Sequence, residues 1–148
     1  MSLIYWPEVW LGIKEKILED LADIVDDRGD PVFKAVYFGK KAQPIQFPCA
    51  IVRPETIRTR SVTVRSSQYP MVFDIRVIAK SEDPDEGVEE VVGYLGMITK
   101  LFEDDRQWGG WTDTVEPYII IPEVERRAVR TRHEGSIVGT FMRYVLPN

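Results

Sequence analysis

The sequence predicts an α+β domain in which two main helices pack on a mostly antiparallel sheet, with residues 1–148 forming a single domain. Three observations lead there. Apolar residues recur at three- and four-residue steps in two separate stretches, whereas the intervening and closing stretches alternate with period two and favour β-branched side chains. The gaps between the expected strands are short, which favours antiparallel neighbours because a parallel one needs a long crossover. Helices and strands also come in blocks (helix, strands, helix, strands) rather than in strict alternation.

The first helix is expected from about Pro7 to Val25. Trp10, Ile13, Ile17, Leu21, Ile24 and Val25 make its apolar stripe, and Lys14, Lys16, Glu19, Asp20 and Asp23 point largely outward. Pro7 suits a first helical turn, and "DDRGDP" from Asp26 to Pro31 supplies the stop. Strands are then expected in "VFKAVYFG", "CAIVRPE", "TIRTRSVTVRSS" and "YPMVFDIRVIAK", the first two separated by the turn-prone "KKAQPIQFP". In the last of these strands, Met71, Phe73, Ile75, Val77 and Ala79 share one face, with Asp74 and Arg76 on the other. A second helix follows, and then "DDRQWGGWTDTVEP" as loop. "YIIIPEVERRAVRTRH" and "GSIVGTFMRYVLPN" close the chain as two strands joined by a tight turn at His133-Glu134-Gly135-Ser136. Val138, Thr140, Met142, Tyr144 and Leu146 form the less polar face of the last strand.

Composition narrows the function classes. Hydrophobic residues at 44% and charged residues at 29% are ordinary globular values. A formal charge of −5, from 24 acidic and 19 basic residues, argues against a general nucleic-acid binder, whose affinity comes mainly from neutralising phosphates. Cys49 is the only cysteine, which leaves no internal disulfide and no Cys-rich zinc site. Pro7 and Glu8 interrupt the apolar N-terminus, and no apolar run approaches the length of a membrane span. The expectation is a soluble protein of a reducing compartment, with no membrane partner.

The most chemical-looking stretch is "AKSEDPDEGVEEVVGYL", Ala79 to Leu95. A calcium loop needs glycine at its sixth position and a bidentate glutamate at its twelfth. Counted from Asp83, Gly87 falls fifth and Tyr94 twelfth; counted from Ser81, Glu86 falls sixth and Val92 twelfth. Neither register holds a cation. As a helix start every residue fits: Asp83 as N-cap, Pro84 in the first turn and Glu86 at the capping-box position. Asp85, Glu89 and Glu90 add negative charge near the positive end of the helix dipole. Val88, Val91, Val92, Leu95, Ile98 and Phe102 form the apolar stripe beyond.

No catalytic, cofactor-binding or metal-ligating residue emerges elsewhere. Glu116, Glu123 and Glu125 have no spacing that selects an acid/base pair. Cys49, at the mouth of an apolar strand, reads as a small buried hydrophobe, and His133 as a solvated turn residue. No metalloprotease, P-loop, dinucleotide or nucleophile-elbow motif occurs. What remains is a set of interface candidates. Arg58 and Arg60 share one strand face, and Arg126, Arg130 and Arg132 share another, flanked by Arg65 and Arg127. They suit a docking surface for an acidic protein, or for DNA passing nearby; cross-strand pairing with Glu55, Glu123, Glu125 or Glu134 would equally explain them. Trp10 reads as core cover, while Trp108 and Trp111, around two glycines in "QWGGW", read as a subunit contact or a ligand lid.

This order of features resembles the tail-terminator, or tail-completion, proteins of long-tailed bacteriophages and their prophage relatives. The resemblance lies in the N-terminal amphipathic helix, the proline-led strand "FPCAIVRPE", the long strand "MVFDIRVIAK", the helix "DPDEGVEEVVGYLGMITKLFEDD" and the last strand "GSIVGTFMRYVLP". It implies a structural, non-enzymatic protein of a small α+β fold. Such a protein forms a homo-oligomeric ring, commonly hexameric, that caps the finished tail tube and meets the head connector. It would reside in the virion neck, and in the host cytoplasm during assembly. A cellular adaptor that holds an acidic partner or ligand through the Trp108/Trp111 loop and Arg-rich strands is the alternative, and a metal-dependent hydrolase built on the acidic residues is a third.

Overall fold

A computed structural model describes residues 6–39, 43–55, 60–63, 66–105, 108, 114–123 and 132–145, with backbone alone at 6, 60–63, 66–70, 114–123 and 142–145. In chain order the elements are α1 (Trp6–Ala22), β1 (Ala35–Phe38), β2 (Cys49–Pro54), β3 (Arg60–Thr63), β4 (Ser66–Lys80), α2 (Pro84–Asp104), β5 (Thr114–Glu123) and β6 (Arg132–Val145). The strands form one six-stranded sheet in the order β1-β2-β4-β6-β5, with β3 also pairing with β4. Two helices on a mostly antiparallel sheet make this the expected α+β architecture.

The core lies between one sheet face and both helices. Val9, Ile13, Ile17 and Leu21 of α1 and Val91, Leu95, Ile98 and Phe102 of α2 meet Met71, Phe73, Ile75, Val77 and Ala79 of β4. These β4 residues are the ones that alternation assigns to a single face. Trp10 covers the core edge, its ring 5.5 Å from Phe73 and 6.1 Å from Phe38. Val92 of the α2 stripe is 51% exposed; Val25, expected to close the first helix, lies beyond it, because α1 ends at Ala22, and is 53% exposed in an isolated bridge with Pro31.

Polar turn chemistry closes α1. The Asp26 carboxylate accepts from the backbone N–H of Arg28 and of Asp30, while Gly29 takes φ 83, a left-handed conformation that suits glycine. At α2 the Asp83 carboxylate accepts from the N–H of Asp85 at 3.0 Å and of Glu86 at 3.4 Å, with Pro84 opening the helix. The capping-box reciprocal differs: the Asp83 N–H donates to Ser81 Oγ. Asp83→Ala should therefore cost about 1 kcal/mol in urea unfolding.

Three further expectations are corrected. β1 and β2 pair parallel, Ala35 opposite Cys49 through Phe38 opposite Val52. A four-residue strand is only about 13 Å long, so residues 39–48 suffice to return the chain to its start without a helical crossover. Thr114 to Pro117, expected as loop, already belong to β5. His133-Glu134-Gly135-Ser136 is not a turn. β6 runs through it, flanked by β4 from Ser67↔Val145 to Lys80↔Arg132 and by β5 at Glu123↔Glu134. The β5–β6 connection is residues 124–131, outside the described residues.

The core face of β6 is also the opposite of its less polar face. Ile137, Gly139 and Phe141 are buried towards the helices, whereas Val138 and Thr140 are half-buried on the far side. Glycine at 139 makes room for α2: a Cβ there would lie 3.3 Å from Phe102. Gly87 does the same at the start of α2. A Cβ on it would overlap the His133 imidazole, whose Nε2 donates to the Ser81 carbonyl at 3.1 Å. Gly87→Ala should cost about 1–3 kcal/mol by overpacking. In a His133→Ala background the same change should stabilise by up to about 1 kcal/mol, since alanine is the better helix former. Paired urea titrations read this sign reversal directly.

Candidate functional site

The sheet face away from the helices carries the chemistry. Alternation brings Arg53 of β2, Asp74, Arg76 and Ile78 of β4, and Arg132, Glu134 and Ser136 of β6 to that face. Register sets the pairs: Arg53 lies opposite Asp74, Ile51 opposite Arg76, Ile78 opposite Glu134, and Lys80 opposite Arg132. Cys49, Ile51 and Ile78 make a small apolar floor, edged by Ala35, Tyr37 and Phe47. Over it lies the segment around Gln43, Pro44 and Ile45, anchored where the Ile45 N–H donates to the Tyr37 hydroxyl. The result is an open cleft of about 450 Å³ lined by Arg53, Arg76, Arg132 and Glu134 together with Ile45, Ile51 and Ile78.

The charges in the cleft are partly buried. Arg76 Nη1 donates to Glu134 Oε2 at 3.1 Å, a diagonal cross-strand pair in which the Glu134 side chain is 2% exposed and Arg76 17%. The Nε atoms of Arg53, Arg76 and Arg132 are buried, and among the described residues they have no hydrogen-bond partner. Lys80 and Arg132, like charges directly opposite, share the Phe47 ring at 4.7 and 4.9 Å from its centroid. The ring's negative face offsets part of their repulsion. Burial pushes the Cys49 thiol up to about 11, with Arg132 lowering and Glu134 raising it, so it stays protonated at neutral pH and is a poor nucleophile. The arrangement suits recognition of a carboxylate or another oxyanion by planar guanidinium forks.

Of the residues singled out in the sequence, Arg132 lies in this cleft. Arg60 does not join it: β3 pairs Arg60 with Gln68, near the start of β4, whereas Arg132 pairs with Lys80 at its end. Arg58, Arg126, Arg130 and Trp111, like Arg65 and Arg127, lie outside the described residues. Trp108 is corrected outright. It is 1% exposed, its indole Nε1–H donates to the Ile13 carbonyl at 3.4 Å, and its ring packs 5.3 Å from Phe102 and 5.2 Å from Phe141. It is a core residue and cannot anchor a partner. Cys49 is the buried hydrophobe the sequence suggests, while His133 is half-buried rather than a solvated turn residue.

Arg53 and Arg76 were not among the expected interface residues. Their signal is faint: an arginine on the outer face of each of two apolar strands, which matters only once those strands are neighbours. Among the described residues no three His, Cys, Asp or Glu side chains form a group that could hold a metal ion, and no helix is long and apolar enough to cross a membrane. Compared with protein-family models and with curated proteins, the chain matches none.

Proposed function

We propose that this protein is a structural component of a phage or prophage tail neck. In this reading it is a tail terminator or tail-completion protein that works by self-assembly into a ring and by docking, without catalytic residue, cofactor or metal. The observation that carries the reading is the asymmetry of the sheet. One face is sealed by both helices, and the other presents an open cleft lined by arginines. A ring subunit needs surfaces of this kind, because each subunit contacts its neighbour through two different patches. The succession of amphipathic helix, proline-led strand, long strand, acidic cap and closing strand supports the same reading. Its partners would be further copies of itself, the tail tube and the head connector, with DNA in transit through the ring. Its place would be the virion neck, and before that the host cytoplasm.

The cleft also favours a second reading, a cellular adaptor that holds an acidic partner; burial of Trp108 removes half of the aromatic loop that reading relied on. Negative-stain microscopy of the purified protein separates the two. The neck reading expects closed rings or short stacks of rings, and capsid and tail genes beside its own. Featureless single particles from a gene in a metabolic neighbourhood would reject it.

A further inference from the structure

The cleft on the open sheet face holds the guanidinium groups of Arg53, Arg76 and Arg132 against the carboxylate of Glu134, the one acidic group among the described residues that line it. Glu134 is already engaged by Arg76, so among the described residues one carboxylate faces three guanidinium groups there. An incoming carboxylate would be held by charge-assisted bonds to the guanidinium groups that line the cleft. The same chain displays the complementary group. Glu82, Asp85, Glu86 and Glu89 are exposed around the start of α2, and among the described residues none of them makes an ion pair.

The two features cannot satisfy each other within one molecule. α2 packs on the face of β4 that carries Val77 and Ala79, whereas Arg76 and Ile78 point to the other face, so the sheet lies between them. We propose that the acidic start of α2 in one copy docks into the arginine cleft of the next. This is a head-to-tail contact between different patches, which closes into a ring or extends into a filament. It rests on the assembly reading only in requiring a second copy. The net charge of −5 opposes casual association, so the contact depends on this local complementarity and weakens with salt.

Two variants test it. Arg53→Gln with Arg132→Gln removes cleft charge while leaving the Arg76–Glu134 pair, and Glu82→Gln with Glu86→Gln removes turn charge while leaving the Asp83 cap. Thermal melts within a few degrees of the parent establish that both fold. By sedimentation equilibrium each variant alone should associate at least about tenfold more weakly than the parent. An equimolar mixture should recover heterodimers, because one intact cleft then meets one intact turn. Parent-like assembly by either variant, or a mixture no better than its components, overturns the inference and leaves the ring reading standing. A parent protein that stays monomeric at all concentrations overturns both.

Discussion

Trp108→Ala should destabilise the protein by about 3–5 kcal/mol, the range for deleting a fully buried large aromatic side chain. The side chain joins three elements at once. Its indole N–H donates to the α1 carbonyl of Ile13, and its ring lies against Phe102 of α2 and Phe141 of β6. Lys16 adds a cation 4.9 Å from the ring and is itself held by Asp20 at 2.7 Å. The backbone at Trp108 is left-handed, with φ 47, an unfavourable conformation for a residue with a Cβ. That cost is tolerated because the buried ring fixes the position. Trp108→Phe keeps a ring but loses the N–H donor, and should cost roughly half as much or less. Urea unfolding of both variants measures the difference; a change below about 1 kcal/mol for Trp108→Ala would mean the ring is not core.

Glu134→Ala should be nearly as damaging, at about 3–5 kcal/mol, because it leaves the Arg76 guanidinium in a largely dry site without its carboxylate. The cost comes from the stranded charge more than from the lost bond. Replacing both partners by apolar residues of similar volume, Arg76→Met with Glu134→Leu, should therefore recover most of the loss. A double-mutant cycle by urea unfolding gives the coupling. If Glu134→Ala alone is harmless, water entering through the cleft already solvates Arg76.

Local signals carried the parts of the fold that were legible in the sequence. α1 and α2 were readable from periodicity, and the α2 start from Asp83-Pro84, because capping depends on residues within one turn of each other. The parallel β1–β2 pair was not, since it depends on how little space a four-residue strand needs for its return. His133 to Ser136 have turn composition, yet β4 and β5 pair with them from both sides, and backbone pairing outweighs local preference. The core face of β6 was hidden because a glycine, chosen for the close approach of Phe102, occupies one of its positions. Trp108 reads as exposed in the sequence because two glycines follow it, while its decisive hydrogen bond joins residues 95 positions apart. The candidate site was only partly legible for the same reason. Arg132 stood out within an arginine run, but Arg53 and Arg76 gain meaning only from the register that places β2, β4 and β6 side by side.

The central claim is that this protein acts by binding copies of itself through its open sheet face. Multi-angle light scattering from sub-micromolar to hundred-micromolar protein, at low and at high salt, tests it most directly. The claim predicts a mass rising with concentration to a discrete multiple of the 17.1 kDa chain, and falling back as salt is added. A mass fixed at that of one chain across the whole range would contradict it.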